Sequence, residues 1–73
     1  MKVLVMEANH VANAVSLARR HLGLEASRAK GAKEPLVSGG EDSLWRVTLD
    51  ENHVIELQTK QHATAKILDE RED

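Results

Sequence analysis

Four histidines, His10, His21, His53 and His62, are the side chains in this sequence best suited to holding a transition metal, because neutral imidazole is a ready ligand for zinc, copper and nickel. Their spacing works against a shared ion. His10 and His21 fall three helical turns apart, about 16 Å on a helix that rises about 1.5 Å per residue, while His53 sits in a polar turn and His62 in a segment of undefined structure. Cysteine is absent, which removes disulfides, thiolate ligands and thiol nucleophiles. Ser16, Ser27, Ser38 and Ser43 offer hydroxyls and the chain offers several carboxylates, yet none lies in a recognisable nucleophile elbow. No acid and base are placed together by spacing either. Gly31 and the pair Gly39-Gly40 belong to no phosphate-cradling pattern and read as turn residues. The expectation is a non-catalytic chain with no metal and no cofactor.

Charge is the more promising chemistry. The formal net charge of −2 conceals an asymmetry: residues 1–33 carry +4 and residues 34–73 carry −6. Arg19, Arg20, His21, Arg28, Lys30 and Lys33 form a basic run of the sort that binds phosphate. The acidic second half and the lack of exposed aromatic side chains for base stacking weigh against nucleic acid. The polarity fits a protein partner better, including a second copy in a homodimer.

The elements that would position these groups follow from periodicity. Ser43–Thr59 consists of two alternating runs around a polar turn and reads as a β-hairpin. Trp45, Val47, Leu49, Ile55 and Leu57 share its apolar face, and Arg46, Thr48, Glu56 and Gln58 its polar one. Setting Leu49 opposite Ile55 and Val47 opposite Leu57 requires an odd loop, Glu51-Asn52-His53, whose last residue would be left-handed. Arg46 then lies opposite Gln58 and diagonal to Glu56. Arg46 and Glu56 join Arg19, Arg20, Arg28, Lys30 and Lys33 as candidate partner-binding residues.

Val11, Ala14, Val15, Ala18 and Leu22 recur at helical spacing, with Leu17 at the edge of the stripe, and predict a helix from His10 to Leu22. Asn9 is its candidate N-cap and Gly23 its left-handed C-cap. Met1–Met6, with Val3, Leu4 and Val5 in succession, suits a strand in the middle of a sheet. Within Glu25–Asp42, EASRAK could form a helical turn, or Leu36-Val37 a short edge strand. Residues 60–68 fit either a helix or a strand, and residues 69–73 read as a charged, frayed tail.

At 73 residues there is room for one domain, here residues 1–68, and domains of this size bury modest cores. Nine Leu, seven Val, nine Ala, two Ile, two Met and the single aromatic, Trp45, supply the apolar side chains. Trp45 is expected as an anchor of the core or as a hot spot on an open sheet face. The apolar run Val3–Met6 is too short for a signal sequence or a membrane span, and the chain reads as soluble and cytoplasmic.

The stretch LWRVTLDENHVIELQTKQHATAKIL, following an Ala-rich helix, resembles the small PepSY-type domain, whose pattern runs from such a helix to a strand opening on an aromatic and a second strand ending near a turn before a Lys-Ile-Leu sequence. The likeness spans about residues 11–68. Thr64, Lys66, Ile67 and Leu68 match, whereas Ala65 stands in place of the glycine and Gln61 in place of the usual acidic residue. It implies an α+β module that binds or restrains peptidases, generally outside the cytoplasm. From residues and resemblance together, the expected fold is α+β, a small antiparallel sheet in the order β-α-β-β with one amphipathic helix on one face. The expected function is a protein-interaction or inhibitory module, with a small nucleic-acid-binding or regulatory factor using Arg19–Lys33 as the alternative.

Overall fold

A computed structural model describes residues 1–24, 36–39 and 43–73, with side chains described in the first and last of these ranges. The elements are β1 (Lys2–Ala8), α1 (Val11–Leu22), β2 (Leu36–Gly39), β3 (Leu44–Asp50), β4 (His53–Thr59) and β5 (Lys66–Glu72). The strands form one sheet in the order β2-β3-β4-β1-β5. The α+β class and the helix packed on the sheet agree with the sequence reading. The sheet is mixed rather than purely antiparallel, because β1 runs parallel to β4 and antiparallel to β5. A parallel neighbour demands a long crossover, and the chain from Asn9 to Asn52 supplies it.

The apolar run of β1 explains its central place. Leu4, Met6 and Ala8 face α1, and Val3 on the opposite side is also fully buried. On α1, Ala14, Val15 and Ala18 are buried while Val11, Leu17 and Leu22 pack at the margin of the same cluster. The alanines let the helix sit close to the sheet, over Val47, Ile55 and Leu57. Complete burial of a side chain such as Ile55 or Leu57 stabilises by roughly 1.5–3 kcal/mol, which matters in so small a core.

Both helix ends show how local chemistry was resolved. Gly23 takes φ 72°, and the N–H groups of Gly23 and Leu24 donate to the carbonyls of Arg20 and Arg19, a Schellman closure that satisfies two orphan acceptors. At the other end the cap is His10 in extended backbone, with no side-chain cap bond. Asn9, expected there, instead accepts from Asn13 Nδ2 at 2.7 Å.

The hairpin keeps its expected faces but differs in register. Val47 pairs with Ile55, Trp45 with Leu57, Arg46 with Glu56 and Leu44 with Gln58, a shift of two residues that preserves every facing. The loop has two residues, Glu51 and Asn52, because Asp50 pairs with His53 and a bulge near Leu49 absorbs the odd residue. Asp50 Oδ1 accepts from the Asn52 N–H at 2.7 Å and meets His53 Nδ1 at 2.8 Å. This Asx-type turn closes the loop without the left-handed His53 that the longer loop needed; among the described residues the non-glycine positions with positive φ are Ser43 and His62.

Leu36–Gly39 forms the edge strand considered for that region, while EASRAK lies outside the described residues. After a turn at Gln61 and His62 the chain enters β5 at Lys66, so within residues 60–68 the last three are strand and the rest neither helix nor strand. The expected tail is a correction: Asp69–Glu72 are part of β5 and pair with β1. Charge in these residues masked their strand character because the core asks little of an edge strand. No described helix is long and apolar enough to cross a membrane.

Candidate interaction surface

The face of the sheet turned away from α1 can be built row by row from the strand registers. One row runs Thr48, Val54, Val3, Arg71; the next Arg46, Glu56, Val5, Asp69; the third Leu44, Gln58, Glu7, Lys66. Between Val5 and Met6 the β1–β5 pairing shifts, and the extra residue on β5 is Leu68. Val3 and Val54 are buried at one end of this face. At the other end Leu44 and Leu68, each 54% exposed, flank a shallow cleft of about 480 Å³ whose lining includes Val5, Arg46, Glu56 and Gln58.

Two shared carboxylates lie on this face, Glu56 in the lining of the cleft and Glu7 one row beyond Glu56. Glu56 on β4 lies 4.0 Å from Arg46 Nη1 on β3 and accepts a hydrogen bond from Arg71 Nη2 on β5. Arg71 sits opposite Val3, so its stem must cross β1 to reach β4, and Glu56 holds its guanidinium pKa up. Arg71 Nε also lies 3.6 Å from the Asp73 carboxylate. At the far end, Glu7 receives Lys60 Nζ at 3.3 Å and Lys66 Nζ at 3.7 Å. The cations stand out from the surface and the carboxylates are recessed: Arg46, Lys60 and Lys66 are 52, 55 and 59% exposed, against 17% for Glu7 and 39% for Glu56.

The helix side carries a different cluster. Glu70 Oε1 accepts from Lys2 Nζ at 3.1 Å and Glu70 Oε2 meets His21 Nε2 at 3.0 Å, joining β5, β1 and α1. The His21 and Lys2 hydrogen bonds hold the Glu70 carboxyl below its ordinary value. Burial pushes Asp50 up, but the Asn52 amide and His53 outweigh it and leave that carboxyl below its ordinary value as well. Among the described residues no three His, Cys, Asp or Glu side chains are grouped to hold a metal ion. His21 and His53 are each engaged with a carboxylate in separate places.

The residues singled out from the sequence scatter. Arg46 and Glu56 come together on the open face, as cross-strand partners rather than diagonal neighbours. Arg19 is 8% exposed, whereas Arg20 beside it is exposed. Arg28, Lys30 and Lys33 lie outside the described residues. Trp45 is half-buried at the margin of the core and donates from Nε1 to Thr59 Oγ1 at 3.1 Å, and that hydroxyl donates onward to the Ser43 carbonyl at 3.3 Å.

Sequence reasoning missed Val5, Glu7, Leu44, Lys60, Lys66, Leu68 and Arg71. Leu44 was within reach, since alternation places it on the face of Arg46 and Thr48. The β5 residues carried no such signal, because the bulge at Leu68 breaks the alternation. No protein-family model, curated protein or solved structure matches this chain.

Proposed function

We propose that this chain is a non-catalytic interaction module that binds a protein partner through the open face of its sheet. The observation that carries the reading is the pair Leu44 and Leu68, both more than half exposed on either side of a cleft whose lining includes Arg46 and Glu56, on a face that also carries Arg71, Glu7, Lys60 and Lys66. Large aliphatic side chains exposed together around a concavity mark a surface that gains by being covered. Restraint of a peptidase, the role implied by the resemblance to PepSY-type domains, and self-association through the same face are forms of this reading. Residence in the cytoplasm goes with the self-associating form, whereas the resemblance would put the peptidase form outside it.

A photo-crosslinking residue at position 68, compared with one at exposed Ser16 on the outer side of α1, tests it in extract from the native host. Discrete products from position 68 that are absent from position 16 support the open face; equal labelling from both positions removes it. Nucleic-acid binding through Arg19–Lys33 stands second. A salt-dependent shift with duplex or single-stranded DNA or RNA is the result that would promote it.

A further inference from the structure

We infer that the occupant of the open-face cleft is an amphipathic helix with an aliphatic ridge and acidic flanks, supplied by a protein partner. The inference rests on the open face being the binding face and adds what fits there. Shape comes first. Leu44 on β3 and Leu68 on β5 are separated by β4 and β1, three interstrand steps or about 14 Å. That is the width of trough that accepts a helix about 10–12 Å across.

Backbone chemistry argues against an extended strand in the same place. The cleft lies on the face of β1 and β4, both of which are paired on each side, so a peptide laid over it finds no sheet edge to bond. Its N–H and C=O groups would be covered without partners. A helix satisfies its own backbone and presents only side chains, the helix-in-groove mode.

Charge then sets the flanks. Arg46 rises on the β3 side, Lys66 on the β5 side and Lys60 beyond the end of β4, all more exposed than the two carboxylates they bracket. Asp69, next to Leu68 in sequence, turns one oxygen back to the Glu70 N–H at 2.9 Å. A ridge of leucines can therefore settle on Val5 between Leu44 and Leu68, with glutamates on either side meeting the outstanding cations. A lysine-flanked helix would set like charges against each other.

The test uses the whole chain and two synthetic Ala-rich helical peptides with Leu at i, i+3, i+4 and i+7, one flanked by Glu and one by Lys. Binding is followed by calorimetry at two salt concentrations and by methyl NMR of Val5, Leu44 and Leu68. The expected result is saturable binding of the Glu-flanked peptide, shifts confined to those methyls, and at least about tenfold weaker binding of the Lys-flanked peptide. The double variant Lys60→Glu/Lys66→Glu should narrow or reverse that preference. Leu44→Gln and Leu68→Gln should abolish binding while circular dichroism stays unchanged, since both positions are already exposed.

Equal binding of the two peptides, or shifts on the α1 side, overturns the inference. If neither peptide binds but position 68 still crosslinks to a protein, the open face stands and the helical occupant falls. If sedimentation shows a dimer that Leu68→Gln dissolves, the occupant is a second copy instead. Failure of both peptides and of the crosslinking removes the face together with the occupant.

Discussion

Trp45 shows how one side chain can serve packing and polarity at once. Its ring lies at the margin of the cluster formed by Val47, Ile55 and Leu57, and its N–H reaches Thr59 across the neighbouring strand. Replacing it with Phe keeps most of the apolar area and loses the hydrogen bond, a change of about 1 kcal/mol. Replacing it with Ala should cost about 3 kcal/mol, near the low end for a large aromatic because the ring is only half-buried. Urea unfolding followed by circular dichroism measures both, and near-equal midpoints for the two variants would show that packing contributes little. The position was legible as a core or face residue from alternation alone; the Thr59 partner was not, because it depends on a register that alternation leaves undetermined by multiples of two.

The hairpin carries that lesson to the scale of elements. Parity correctly assigned the facings, since only shifts of an even number of residues keep Trp45, Val47, Ile55 and Leu57 on one side. It led to the odd loop Glu51-Asn52-His53, where the structure has an even loop with a bulge. Asp50 made the choice, through its bonds with the Asn52 amide and His53. Asp50→Ala is therefore expected to destabilise the hairpin by about 1 kcal/mol and to raise amide exchange at Asn52 and His53 above that in the remaining strands. Unchanged exchange would mean that the bulge, rather than the turn, sets the register. The helix was legible because start, periodicity and stop agreed, with Gly23 closing it. β5 was obscured by its own charges, and these have a physical role: Asp69, Glu70, Arg71 and Glu72 together with a bulge discourage a sheet edge from pairing with another chain.

At the scale of the molecule, the depressed carboxylates give stability a direction in pH. Glu70 and Asp50 have folded pKa values below their ordinary 4.5 and 3.8, so their pairs contribute fully above those values. The contribution is lost as pH falls through the lower folded values. Acid unfolding should steepen below this range, and replacing both His21 and Lys2 with Gln should return the Glu70 midpoint toward 4.5 in a carboxyl NMR titration. A midpoint that stays low would mean the two side chains do not hold it.

The central place of β1 has a further result. This strand begins at Lys2, yet both of its neighbours in the sheet, β4 and β5, begin at His53 and Lys66. A chain emerging from the ribosome can form α1 at once, but its most apolar strand must wait for the last third of these residues before either edge is paired. Such distant pairing slows folding, since long loops close before any contact rewards them. In the interval Val3, Leu4, Val5 and Met6 lack both neighbouring strands, which makes nascent or truncated forms lacking β4 and β5 the species most prone to aggregate.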